Sequence, residues 1–329
     1  QCEFGLLELA PANIEVMEWH LCQVSDLIWS GSSRVNQWLV LGGQLRRHSL
    51  PYEHQVNSVY LREVYLKEVE LSGPLFTGLV ISAIARVEHS EVQGPVFERC
   101  CFEGDSRVYA SIFKGERNFA QATALSDFII DRCVFATDIQ ETMRNLSVEG
   151  QFKLQSPLIH SNLDLQAAKL DQGLILNDWS VYLPHEHIKD SILVTRPLYQ
   201  LNLSETEIGH SLLISSPHIL GINEQVKTDQ LAQGGVRIHL SLDHCNISDR
   251  LNLSRFVSQD ADRFIGSLSI STHRLNVGTI NTPTLTKLSS DGGPITYLSR
   301  RMLSGDPSLN LHRMSHVADL YDEFLWSTL

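Results

Sequence analysis

Between Leu163 and Asn281 one apolar template recurs four times. The copies read LDLQAAKLDQGLIL from Leu163, LNLSETEIGHSLLI from Leu201, LSLDHCNISDRLNL from Leu240 and LSISTHRLNVGTIN from Leu268. Aligned on their first residues, they place Leu163, Leu201, Leu240 and Leu268 in one column and Leu165, Leu203, Leu242 and Ile270 in the next. A third column holds Leu170, Ile208, Ile247 and Leu275, and a column of small or intermediate residues holds Ala168, Thr206, Cys245 and His273. The fourth copy loses its final apolar positions at Thr279 and Asn281. A helix cannot keep residues two apart on one face, whereas a strand does so by alternation. Strand pairs that restart every five residues imply a chain that turns a corner and begins again. Such a coil cannot bury its apolar face alone and has to stack on the next, as in a parallel β-solenoid.

The same step is explicit upstream. VYLREVYLKEVELSG sets Val59, Val64 and Val69 in one row and Leu61, Leu66, Leu71 and Phe76 in another, with Tyr60, Tyr65 and Glu70 pointing outward. Phe97 and Phe102 keep the step, as do Phe128 with Cys133 and Ile130 with Phe135. These phenylalanines read as core, because a solenoid interior needs close packing. The N-terminal stretch has two readings. Ile14, Met17, Leu21, Val24 and Ile28 lie near helical spacing, but Ile14, Trp19, Val24 and Trp29 follow five-residue spacing, with Val16 and Leu21 as a second row. The downstream repeat favours β-coils or an irregular cap.

VYLREVYLKEVELSG and CCFEGDSRVYASIF resemble the pentapeptide-repeat proteins, and the resemblance covers residues 59 to 281. It implies a right-handed β-helix with one large and one small inward residue in every five. The LDLQAAKLDQGLIL type of copy is similar to a loosely defined group of bacterial β-helical proteins called membrane-associated oxidoreductases. No nucleotide-binding motif in the chain supports that activity.

The fold expected is therefore all-β: a right-handed parallel β-helix with irregular coils, closed by a C-terminal capping helix. Residues 1–58 form a cap or irregular first coils, 59–288 the β-helix, and 289–329 a turn-rich linker and helix. The helix follows from Met314, Val317, Leu320, Tyr321 and Phe324, spaced for one apolar face. Copies one to three start 38 and 39 residues apart, and the fourth starts 28 after the third. Each long interval is either two coils or one coil carrying a protruding loop. Apolar alternation at Trp179/Val181 and Ile192/Val194 favours looped coils, whose loops would leave one corner and build one working face.

Chemistry-bearing residues are sparse. His185 and His187 in PHEH could turn two imidazoles to one metal, but a zinc site needs three or four ligands and HExxH spacing is absent. Asp243, Asp249, Asp260, Asp262 and Arg263 are candidates for acid-base work on a polysaccharide, which needs two carboxyls at a set gap. No cofactor is expected. The six cysteines, including the adjacent Cys100 and Cys101, read as small buried hydrophobes of a reducing compartment. At most one of that adjacent pair faces inward. A formal charge of −12 disfavours direct nucleic-acid binding, and no apolar run is long enough to span a membrane. The location expected is cytoplasmic or peripheral to a membrane.

Three functions are compatible with these features. The first is a non-enzymatic, bacterial scaffold or protein-binding module, whose partner is another protein or a missing domain of the same chain. The second is an enzyme acting on a polysaccharide in an exterior groove. The third is an acidic mimic of nucleic acid.

Overall fold

The computed structural model describes residues 2–9, 11–29, 32–48, 59–136, 141–160, 162–182, 198–215, 218–220, 236–253, 266–271, 274–281 and 323–327. Among these there is no helix; the chain is a parallel β-solenoid.

At the N-terminus the buried or half-buried residues come in pairs two apart, Met17/Trp19, Cys22/Val24 and Leu27/Trp29, each pair five residues after the last. The strands Asn13–Val24, Ser33–Arg46 and Val59–Ser72 lie side by side in parallel register, and the short strands Cys2–Phe4 and Leu7–Leu9 pair with residues one coil later. The five-residue reading of this stretch therefore holds and the helical one does not. The second row needs correcting: Val16 and Leu21 are exposed, and Met17, Cys22 and Leu27 face inward instead. Two rows one residue apart share the same period, so period alone does not say which phase is buried. From Val59 on, both expected rows are buried to Phe76.

The later coils show four inward pairs per turn. In one turn they are Leu146/Val148, Phe152/Leu154, Pro157/Ile159 and Leu163/Leu165. In the next they begin with Ala168/Leu170, Leu174/Leu176 and Trp179/Val181. Each pair lies on one of four walls, and each wall is a stack of parallel strands or turns. The second wall, for example, stacks Asp105–Tyr109, Phe128–Asp131, Phe152–Gln155 and Leu174–Asn177. The step from first to second wall takes six residues rather than five. Glycine fits that corner because the chain passes close to its neighbour: a Cβ on Gly150 would sit 2.3 Å from the Ser126 carbonyl carbon.

Two other corners hold columns of residues with left-handed backbone. One runs through Leu21, Gly42, Glu68, His89, Ala110, Arg132, Ser156 and Asp178, with φ between 46° and 67°. The other includes Arg99, Gln121, Asn145, Ala167, Glu205, His244 and Arg274. A non-glycine residue in this region costs roughly 1–2 kcal/mol, so stacking has to over-determine it.

Inside, aromatic rings form ladders along the axis. Phe76, Phe97 and Phe119 stack at 5.0 and 5.3 Å, Phe102, Phe128 and Phe152 at 5.6 and 5.5 Å, and Phe113 and Phe135 at 5.1 Å. Parallel, in-register coils place Phe128 under Phe152 and Phe113 under Phe135, whereas Phe102, whose in-register neighbours are Ile81 and Ala124, meets Phe128 across the corner between two walls. Small polar residues tie the coils where a large one does not fit. The Ser90 hydroxyl accepts from the Val69 amide at 3.2 Å, and the Ser111 hydroxyl accepts from the Ser90 amide at 3.1 Å.

The fourth wall is a turn in the early coils, and it becomes a five-stranded sheet from Leu163–Asp164 onward. Its last strand, Glu323–Ser327, runs antiparallel to Gly266–Ser271 and pairs that edge. Most of the expected C-terminal helix lies outside the described residues. Its last apolar position, Phe324, lies in this strand, opposite Ile270.

Candidate interaction surface

Lys169 pairs directly with Glu207, 38 residues later, and Leu201 with Leu240. Each long interval is thus one coil with an insertion, not two coils. The position of that insertion follows from the inward residues. Phe102, Val108 and Phe113 stand six and five residues apart; so do Val148, Leu154 and Ile159, and so do Leu170, Leu176 and Val181. Walls one to three therefore keep a fixed length. In the two longest coils the surplus chain leaves at the corner between the third and fourth walls, where residues 183–197 and 221–235 lie outside the described set. A shorter surplus leaves there too, at 137–140.

The third wall borders this corner. Its outer face carries Glu70, Glu91, Ile112, Val134 and Leu158 in one in-register column. Ile112 is 38 % exposed. Lys114 reaches back to Glu91 at 2.8 Å. At the N-terminal end of this face, Glu68, Glu70, His89 and Glu91 rim a shallow depression of about 320 Å³.

Around the next corner, on the second wall, sits a cluster centred on Tyr109. Its ring meets His89 edge-on at 5.5 Å, and the guanidinium carbons of Arg107 and Arg132 lie 5.6 and 5.8 Å from its centroid. Arg132 donates to the Tyr109 hydroxyl at 3.2 Å, and Arg107 donates to Asp131 at 2.5 Å. Two cations over one half-buried ring give an outward feature with fixed geometry. Outward positions carry no periodic constraint, and sequence reasoning passed over this cluster. It becomes visible only when Arg107, Tyr109, Asp131 and Arg132 are placed by register.

The residues singled out from sequence are scattered. Asp243 and Asp249 sit on opposite edges of the first wall, at the corners before and after Ile247. The Asp249 carboxylate accepts from the Ser211 hydroxyl at 2.9 Å. Asp260, Asp262 and Arg263 lie outside the described residues, as do His185 and His187. Among the described residues no group of three or more His, Cys, Asp or Glu side chains is placed to hold a metal ion. His273 also lies outside them, and the slot assigned to it belongs to Leu275, whose neighbour Asn276 donates to the Cys245 carbonyl at 2.9 Å. His244 is exposed, as its offset requires. Cys100 is fully buried, while Cys101 is half-exposed. Burial, followed by the nearby Glu103 and Glu149, pushes the Cys101 thiol up, which works against thiolate reactivity.

Among the described residues, no helix is long and apolar enough to cross a membrane. Comparison with family models, with curated proteins and with solved structures finds no match.

Proposed function

We propose that the chain is a non-enzymatic β-solenoid scaffold whose working surface is the third wall and the loops beside it, and that it binds another protein. The observation that carries this reading is that the two longest insertions, 183–197 and 221–235, leave successive coils at the same corner, while the first three walls keep a fixed length from Phe102 to Val181. A fold that holds its coil rigid and varies at one corner presents loops in a row, which suits recognition. Beside that corner lie half-exposed apolar residues, Ile112, Val134 and Leu158, and beyond them the Tyr109 cluster. Aromatic and arginine side chains of this kind supply the anchors of protein interfaces.

Nucleic-acid mimicry fits less well. The outward column of the second wall runs Tyr65, Arg86, Arg107, Ile129, Lys153 and Ile175, with cations where a phosphate mimic needs acids.

The test replaces residues 183–197 and 221–235 with short Gly-Ser links and compares partner capture with that of the unaltered chain. Far-ultraviolet circular dichroism checks that the β-signal is unchanged. Loss of specific partners supports the reading. An unchanged set of partners, with the solenoid intact, overturns it.

A further inference from the structure

Cys2 and Cys22 occupy paired positions in adjacent parallel strands, Cys2–Phe4 and Asn13–Val24. Residues in register on neighbouring parallel strands point to the same face, and their Cα atoms are separated by about the interstrand spacing of 4.8 Å. A disulfide accepts Cα separations of about 4.4–6.8 Å. Both cysteines are free thiols, one exposed and one buried. The Cys22 thiol is pushed up, by burial first and then by Cys2 beside it. No other cysteine has a cysteine opposite it among the described pairings: Cys101, for instance, faces Val80 and Thr123.

We propose that Cys2 and Cys22 are a modification site: in the presence of a low-molecular-weight disulfide they form an intramolecular disulfide that locks the first coil onto the second. The first coil is the least buried part of the described solenoid. Phe4 and Leu6 are 39 % and 59 % exposed, and every residue of Cys2–Phe4 is exposed. It is held by two short strand pairings and by bonds such as Leu7 N–H to the Asp26 carbonyl at 2.8 Å and Ser25 N–H to the Phe4 carbonyl at 2.9 Å. A coil held this way opens before the rest.

The chemistry balances as two exchanges. The exposed Cys2 thiolate attacks one sulfur of the small disulfide and expels one thiolate, leaving a mixed disulfide on Cys2. Cys22 then loses its proton to solvent and attacks the Cys2 sulfur, forming the Cys2–Cys22 bond and expelling the second small thiolate. Two protein thiols are oxidised, and one small disulfide is reduced to two thiols.

The experiment incubates the full chain with oxidised glutathione and digests it, without reduction, with a glutamate-specific protease. Glu3, Glu8, Glu15 and Glu18 separate the two cysteines, so they leave on different peptides. The expected result is a joined Cys2/Cys22 peptide pair that disappears on reduction and is absent from Cys2→Ser. Hydrogen exchange at the Leu7 and Ser25 amides should slow by tenfold or more in the oxidised chain, relative to Cys2→Ser under the same oxidant. A mixed disulfide that stays on Cys2, a Cys2–Cys2 dimer or two unreacted thiols overturns the site. A joined pair with unchanged exchange overturns the lock.

Discussion

Leu240 lies opposite Ile270 in the neighbouring parallel strand, not opposite Leu268. The fourth copy is therefore displaced by two residues from the alignment that its sequence suggests. In the true register Val277 faces Ile247, and Ile280 faces Leu251 after a one-residue bulge. The first of its terminal apolar positions then belongs to Ile280 rather than Thr279, and Asn281 faces Asn252. A slip of two residues keeps every side chain on its own face, whereas a slip of one reverses them all. Periodicity is blind to the first error and sensitive to the second.

This register makes Leu275 the inward residue beneath Cys245, with 1 % of its surface exposed. Leu275→Ala should destabilise the chain by about 2–5 kcal/mol, as truncation of a buried leucine does. The shift of the urea midpoint measures it. A change below about 0.5 kcal/mol would show that Leu275 is not packed in the interior.

Phe97 stacks on Phe76 on one side and Phe119 on the other. Phe97→Ala should cost about 3–5 kcal/mol, and Phe97→Leu, which leaves a smaller void, distinctly less. Equal costs for the two variants, read from urea unfolding, would show that the ladder is not close-packed there.

Much of the interior was legible because burial repeats. Val59 to Phe76, the phenylalanine positions and the first three copies all follow from two-residue alternation and a five-residue step. The preference for a single looped coil at Leu163–Leu201 agrees with Lys169 standing directly opposite Glu207, and Trp179 and Val181 supply that coil's third wall. What escaped was the phase at Val16 and Leu21, the six-residue corner, and the outer surface. An inward position is constrained by its neighbours above and below, so its pattern recurs in sequence. Tyr109 and Arg132, 23 residues apart, meet only because the coil register sets Asp131 opposite Tyr109 and Arg132 next to it. No local pattern records such a meeting.

Ser111 is fully buried and its hydroxyl does two things: it donates to the Tyr109 carbonyl at 2.9 Å and accepts from the Ser90 amide at 3.1 Å. Ser111→Ala removes the acceptor and strands the Ser90 amide. The expected cost is about 1–3 kcal/mol, that of an unsatisfied buried donor. Ser111→Cys, which keeps a weak acceptor, should recover part of it. Hydrogen exchange at the Ser90 amide gives the local readout; exchange as slow as in the unaltered chain would refute the assignment.

The left-handed corners make opposite predictions at two positions. A Cβ on Gly73, at φ 74°, would sit 1.8 Å from the Arg47 carbonyl oxygen. Gly73→Ala should therefore destabilise by more than about 1 kcal/mol, since backbone has to move. Ala110 already holds φ 46° with a side chain. Ala110→Gly relieves that strain, roughly 1–2 kcal/mol, against an entropic loss of about 0.4–1 kcal/mol. It should be neutral to slightly stabilising. Thermal unfolding of both variants decides; a large loss at Ala110→Gly would mean that the column is not strained.

Cys133 and Cys245 are buried, and burial pushes both thiols up to about 12 from an ordinary 9.0. Cys133 also donates to the Asp131 carbonyl at 3.4 Å. In the folded chain both thiols keep their protons between pH 9 and 12, while in the unfolded chain they release them. The unfolded state then binds fewer protons, so stability is fully present below about pH 9 and falls as pH rises through that window. Each thiol contributes a slope of up to about 1.4 kcal/mol per pH unit. Urea midpoints at pH 8 and pH 10.5 should differ accordingly, and Cys133→Ala should shrink the difference. Alkylation under native conditions offers an independent check, because an alkylating reagent needs an accessible thiolate. Cys2 should label first, and Cys100, Cys133 and Cys245 only after unfolding. Rapid native labelling of Cys133 would place it outside the solenoid interior.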